Sequence, residues 1–297
     1  MIKRIAGSFV ALITPMLNGR VDYSTLERLV EWHIEQGTNG FVPVGTTGES
    51  PTLSNQEHLD VLRKVIEISD GRIPTIAGCG SNSTQKAIEY HEFAAEIGAD
   101  AALHVTGYYN KPTQEGIYAH FEALSKATNL PIIVYNVPKR TGVDILPNTM
   151  ARIGQLSNVV GVKDATADLS RICLERELLR DDFVFLSGED ITALAYNISG
   201  GVGCISVTAN VAPKACAKLQ HACNIGDYAT ARTIHDSMVA LHRDLFIEPN
   251  PSGVKYACSL LGLCTEEVRL PLIPISDATK LKIEHSLAVN PYVEKYT

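Results

Sequence analysis

VVGVKD, residues 159–164, is a short, nearly unbroken apolar run that ends on a lysine and an aspartate. A run of this length and character reads as a strand buried on both faces, as the strands of a parallel sheet are. Working outward finds the same unit in both directions. SFVALIT (8–14), GFVPVG (40–45), IPTIAG (73–78), DAALHVT (100–106) and PIIVYN (131–136) precede it, and FVFLSG (183–188) and GCISVT (203–208) follow. Between the runs lie segments of helical period. In YSTLERLVEWHIEQG, for example, Leu26, Leu29, Val30, His33 and Ile34 share one stripe. Gly37, Gly98 and Gly154 stand where helix C-caps are expected. Eight strands alternating with helices predict an α/β fold, a (β/α)8 TIM barrel spanning residues 1–225. The doubly wound alternative lacks a GxGxxG turn after its first strand. Residues 226–297 are helical by pattern, with no further strand, and are expected to form a C-terminal helical extension.

At 297 residues the chain accommodates one such barrel plus the extension. A hydrophobic share of 45% and a charged share of 20% suit a globular protein with a large core. The net charge of −7 gives no electrostatic reason to expect nucleic acid as a partner. Seven cysteines, at 79, 173, 204, 216, 223, 258 and 264, form no CxxC pair and lie mostly in apolar contexts, which predicts reduced, buried thiols. The nine histidines show no metal-ligand spacing, so no metal is expected. The opening MIKRIAGSFVALITP is read as a first strand and not as a signal peptide. No stretch reaches the roughly 18 apolar residues of a membrane span. The expected compartment is the cytoplasm.

In such a barrel the reactive groups belong at the C-terminal ends of the strands. Lys163 ends the apolar strand VVGV, where its amine is placed at or over the barrel mouth. Removal from water can free a lysine lone pair for imine formation; the ordinary alternative is a lysine that snorkels to solvent. Tyr135 ends the fifth strand and offers a phenol that gives and takes one proton; taken alone, it could equally close the core. Thr46 and Thr47, in GTTGE after the second strand, place two hydroxyls beside glycine-exposed amides, a neutral grip for a carboxylate. Arg140, in NVPKRTG after strand five, can grip a carboxylate with two hydrogen bonds. Tyr108 and Tyr109 form a tandem after strand four, a pattern common at interfaces. The glycines of SGGVGC (199–204) precede strand eight, at the opposite face, and read as a helix-to-strand turn.

GTTGES (45–50), YYN (108–110), YNVPKRTG (135–142), VGVKDAT (160–166) and EPNP (248–251), in this order and spacing, resemble the dihydrodipicolinate synthase family of pyruvate-dependent lyases. The resemblance runs from about residue 2 to beyond 275. It implies that Lys163 binds pyruvate as a Schiff base, with Tyr135, Thr46 and Tyr109 relaying protons and Tyr109 reaching in from a neighbouring subunit. It implies further that Thr47, Gly188 and Ile205 line the pyruvate pocket and that Arg140 holds the carboxylate of L-aspartate 4-semialdehyde. No cofactor is implied, and a homotetramer built as a dimer of dimers is expected. The competing reading within the superfamily is N-acetylneuraminate lyase or another pyruvate-dependent aldolase, and a catalytically silent sensor barrel is the reading from another class. Asp164 departs from the glutamate that many relatives carry. The family's lysine-feedback pocket maps onto Ser50, Pro51, Asn55, His58, Asn82, Lys86 and Tyr108. Ser50, His58, Asn82 and Tyr108 fit it; Pro51, Asn55 and Lys86 depart. Lys86 puts a positive charge where a glutamate would meet the effector's amine, so sensitivity to lysine is expected to be feeble or absent.

Overall fold

A computed structural model describes residues 5–293; the outermost four residues at each end, parts of the expected barrel and extension, lie outside the described residues. All eight apolar runs form parallel strands: β1 (Gly7–Ala11), β2 (Gly40–Val42), β3 (Ile76–Gly78), β4 (Ala101–Val105), β5 (Ile132–Asn136), β6 (Val159–Asp164), β7 (Val184–Ser187) and β8 (Gly203–Ser206). Apart from β2 and β3, each hydrogen-bonds to its sequence neighbour, and β8 returns to β1, so that Gly7 faces Gly203 and Phe9 faces Ile205. Between β2 and β3 the ring closes through a bridge from Phe41 to Thr75 and the bond from Phe41 N–H to the Pro74 carbonyl. The result is the (β/α)8 barrel that the alternating pattern predicts.

Period-2 alternation explains why the strands read as continuously apolar. Along β5, Ile133 and Tyr135 belong to the cluster that includes the barrel interior, whereas Ile132 and Val134 pack outward among residues of the surrounding helices. Both faces are dry, so both need apolar side chains.

The helices that cross between strands are α1 (Tyr23–Glu35), α2 (Asn55–Ser69), α3 (Thr84–Glu96), α4 (Gln114–Ala127), α5 (Pro147–Ile153), α6 (Leu169–Leu178), α7 (Ala193–Ile198) and α8 (Pro213–Asn224). Their starts carry capping signals: Asp22, Ser83 and Thr113 each accept a backbone N–H, and Ser54 with Glu57 forms a reciprocal capping box on α2. Gly37 and Gly98, both at φ 82°, follow α1 and α3 in the left-handed region, as their C-terminal positions predict. Gly154 ends α5 for another reason. Its backbone is right-handed, but an added Cβ would lie 2.2 Å from Leu179 Cδ2, so packing excludes a side chain there.

Three helices complete the chain: α9 (Tyr228–Asp244), α10 (Ser252–Leu260) and α11 (Asp277–Val289). Their inward residues, among them Leu241, Val254, Ala257 and Ile283, join the same apolar cluster as Phe9 and Leu12 of the barrel. No helix among the described residues is long and apolar enough to cross a membrane. Five of the seven cysteines are buried and all are free; Cys173 is exposed.

Candidate active site

β5 and β6 run in register, pairing Tyr135 with Lys163, so the two side chains emerge on the same face, next to each other. Both are buried. The Lys163 Nζ lies 4.2 Å from the centroid of the Tyr135 ring, and it forms no ion pair among the described residues. An amine held against an aromatic face without an ion-pair partner is open to reaction. Burial, and after it Asp190, raises the nearby Glu189 carboxyl against the opposing effect of Lys139 and Lys163.

Gly188, one residue past β7, makes room for this lysine. A Cβ built there would stand 2.9 Å from Ala165 Cβ and 3.0 Å from Lys163 Cε. Its N–H donates to the Asp164 carbonyl at 2.6 Å, which fixes the turn. Ile205, in β8, is buried in the barrel interior opposite Phe9. Asp164 itself points away from the amine's face. Burial raises its carboxyl, which accepts the Thr166 N–H at 2.8 Å.

A cavity of about 210 Å³ opens beside Tyr135 and is lined also by Thr46, Tyr108, Arg140 and the apolar Leu103 and Val105. The GTTGE loop after β2 supplies its polar wall. Two non-glycine residues in the left-handed region flank that loop, Val44 at φ 55° and Glu49 at φ 58°. Such backbone is costly for a β-branched residue and persists only where surrounding contacts enforce it. Here the Thr14 hydroxyl donates to the Gly48 carbonyl at 2.7 Å, and Lys255 Nζ forms a buried ion pair with Glu49 at 2.6 Å. Glu49 Oε2 also accepts the Arg269 N–H at 3.0 Å. Thr47 is buried, and its hydroxyl accepts from Asn250 Nδ2 at 3.0 Å.

Arg140, expected in a loop, sits on a single helical turn, Pro138–Thr141. It is exposed at the cavity, with Nη2 3.4 Å from the Asn250 carbonyl oxygen. Tyr108 is half-buried, whereas Tyr109 is 92% exposed at φ 70° and does not line this chain's cavity. The glycines of SGGVGC form the turn from α7 to β8, at the opposite end of the strands.

Of the seven positions compared with a lysine pocket, Ser50 and Pro51 line the same cavity and Asn82 Nδ2 donates to the Tyr108 carbonyl at 3.2 Å. His58 is buried, its Nε2 is 2.9 Å from the Gly78 carbonyl oxygen, and its ring stacks on Tyr90 at 3.9 Å. Its pKa is lowered to about 4 by burial, opposed by the Gly78 carbonyl and reinforced by Lys86. The Lys86 ammonium stands 5.4 Å from the same Tyr90 ring. Asn55, at the start of α2, is exposed.

Three residues of this neighbourhood escape sequence reasoning: Glu49, Asn250 and Lys255. For Lys255 there is a usable signal, a single cation within the apolar run GVKYACSLL. EPNP marks Asn250 without indicating that it bonds a residue 203 positions away.

A closed parallel barrel with its cavity and polar groups at the strands' C-terminal ends defines a (β/α)8-barrel enzyme. A model of the dihydrodipicolinate synthetase family matches residues 4–290. A 4-hydroxy-tetrahydrodipicolinate synthase of Parvibaculum lavamentivorans is 58% identical over 277 residues, covering 93% of this chain and 95% of the relative; another, from Roseobacter denitrificans, is 56% identical over 281 residues, covering 95% and 97%. Among solved structures, a chloride-inhibited dihydrodipicolinate synthase from Acinetobacter baumannii complexed with pyruvate superposes with a TM-score of 0.95 at 47% identity, covering 98% of this chain and all of that one. The chain belongs to the dihydrodipicolinate synthetase family, and it is a lyase.

Proposed function

We propose that the enzyme condenses pyruvate with L-aspartate 4-semialdehyde to give 4-hydroxy-tetrahydrodipicolinate, serving diaminopimelate and lysine biosynthesis in the cytoplasm. The observation that carries the proposal is the in-register pair of Tyr135 and Lys163 at the mouth of the barrel. The Lys163 amine attacks the ketone of pyruvate, and loss of water gives the imine. Tyr135 and Thr46, which line one cavity, move the protons that expel that water. Thr47 holds the pyruvate carboxylate, with Gly188 and Ile205 lining the pocket. Deprotonation of the methyl group gives an enamine, whose carbon adds to the aldehyde of the second substrate. Arg140 grips that substrate's carboxylate, and its amine then displaces Lys163 and closes the ring. The imine serves as the electron sink, so the reaction calls for no cofactor.

Tyr109 completes the relay from a partner subunit. Its 92% exposure and left-handed backbone suit a side chain presented outward to a second copy. We assign a homotetramer, a dimer of such dimers, with residues 1–225 as the catalytic barrel and 226–297 as its helical extension. Feedback by lysine is feeble or absent in this account. The Lys86 ammonium lies along the Tyr90–His58 stack and there meets the effector's amine with like charge, a change that costs on the order of a hundredfold in affinity.

A coupled assay tests the proposal. Turnover with pyruvate and aspartate semialdehyde, and none with N-acetylneuraminate, is the expected outcome; the reverse preference would overturn it. In the same assay, half-inhibition by lysine below about 1 mM, roughly a 4 kcal/mol binding free energy, would show that Lys86 does not block the pocket.

A further inference from the structure

The segment before α10 reaches into the substrate loop. Asn250 is buried, and its Nδ2 donates to the Thr47 hydroxyl at 3.0 Å. A hydroxyl carries one proton and two lone pairs. A donor on one lone pair leaves the proton to point elsewhere, which makes Thr47 a donor toward whatever stands on its other side. We propose that Asn250 is a positioning residue that aims the Thr47 hydroxyl proton at the pyruvate carboxylate, an inference that rests on the reading of Thr47 as a carboxylate ligand.

Three observations support it. First, the bond to Thr47 is the only side-chain hydrogen bond of this amide among the described residues, since Asn250 Oδ1 is buried without a partner. Second, the same residue touches the other carboxylate-binding group, because its main-chain carbonyl accepts from Arg140 Nη2 at 3.4 Å. Third, its placement is fixed from both sides. Five residues on, Lys255 in α10 is paired with Glu49, two residues after Thr47, and the Arg269 N–H holds the second oxygen of that carboxylate. Loop and helix therefore cannot slide past each other without breaking a buried ion pair.

Steady-state kinetics of Asn250→Asp decides the matter. A carboxylate accepts where the amide donates, so it draws the Thr47 proton away from pyruvate. The pyruvate KM should rise about tenfold at pH 8, the value expected for one lost hydrogen bond to a charged group. The semialdehyde KM should change less than about twofold, since the Arg140 contact is to the main chain. Lowering the pH protonates the new carboxyl, restores a donor and should bring the pyruvate KM back toward that of the parent enzyme at the same pH. In a Thr47→Val background Asn250→Asp should add nothing. Should Asn250→Asp not fold, Asn250→Ala decides by the same split, with a smaller rise in the pyruvate KM alone. An unchanged pyruvate KM, or equal rises for both substrates, overturns the inference. If Thr47→Val itself leaves pyruvate use intact, the reading of Thr47 falls and this inference falls with it.

Discussion

At the scale of single residues, the site depends on which groups are left unpaired. Lys163 is buried beside an aromatic ring with no ion pair among the described residues, whereas the still more deeply buried Lys255 is locked to Glu49. The same residue type thus stands without an ion-pair partner in one place, among the described residues, and is locked into a buried ion pair in the other. Arg140 has one long hydrogen bond among the described residues, to the Asn250 carbonyl, and lines the cavity. Arg140→Ala should therefore weaken use of aspartate semialdehyde by about 1.5–3 kcal/mol in kcat/KM, the value of a charge-assisted contact, with much less effect on pyruvate. Equal losses for both substrates would mean that Arg140 serves the loop and not the ligand. Lys163, Tyr135, Thr46, Thr47 and Arg140 were all legible as polar residues at strand ends. Glu49 and Asn250 were not, because their partners lie 206 and 203 positions away and no local pattern announces such a bond.

At the scale of elements, the eight strands were legible because a strand buried on both faces loses its alternation, and a run such as PIIVYN has no other comfortable environment. The helices followed from their stripes and caps. Some placements have reasons that the local pattern does not show, although Gly154 does cap its helix as read. Gly154 is a glycine because Leu179 fills the space its side chain would need, not because the chain turns left-handed there. Arg140 lies on a helical turn because Pro138 opens it and Gly142, at φ 72°, closes it. Contacts between buried histidines were equally hidden. His91 and His104 face each other at 3.1 Å between α3 and β4, their pKa values lowered by burial, and nothing in their spacing foretells the contact.

At the scale of the whole molecule, the chain that follows the barrel holds the GTTGE loop through Asn250, Lys255 and Arg269, so it shapes the cavity wall that the strands carry. The site also extends beyond one chain if Tyr109 belongs to a partner. Mixing Tyr109→Phe subunits with Lys163→Ala subunits, each nearly inactive alone, should restore a fraction of the activity through hybrid dimers that hold one intact site. No recovery despite demonstrated subunit exchange would confine each site to its own chain. The central claim, that one buried lysine forms an imine with pyruvate, is tested most directly by borohydride reduction of the intact protein in the presence of pyruvate, followed by peptide mass mapping. The account predicts one pyruvate-derived adduct per chain, on Lys163 alone, and none in Lys163→Ala. An adduct on any other lysine, or no adduct at all, would contradict it.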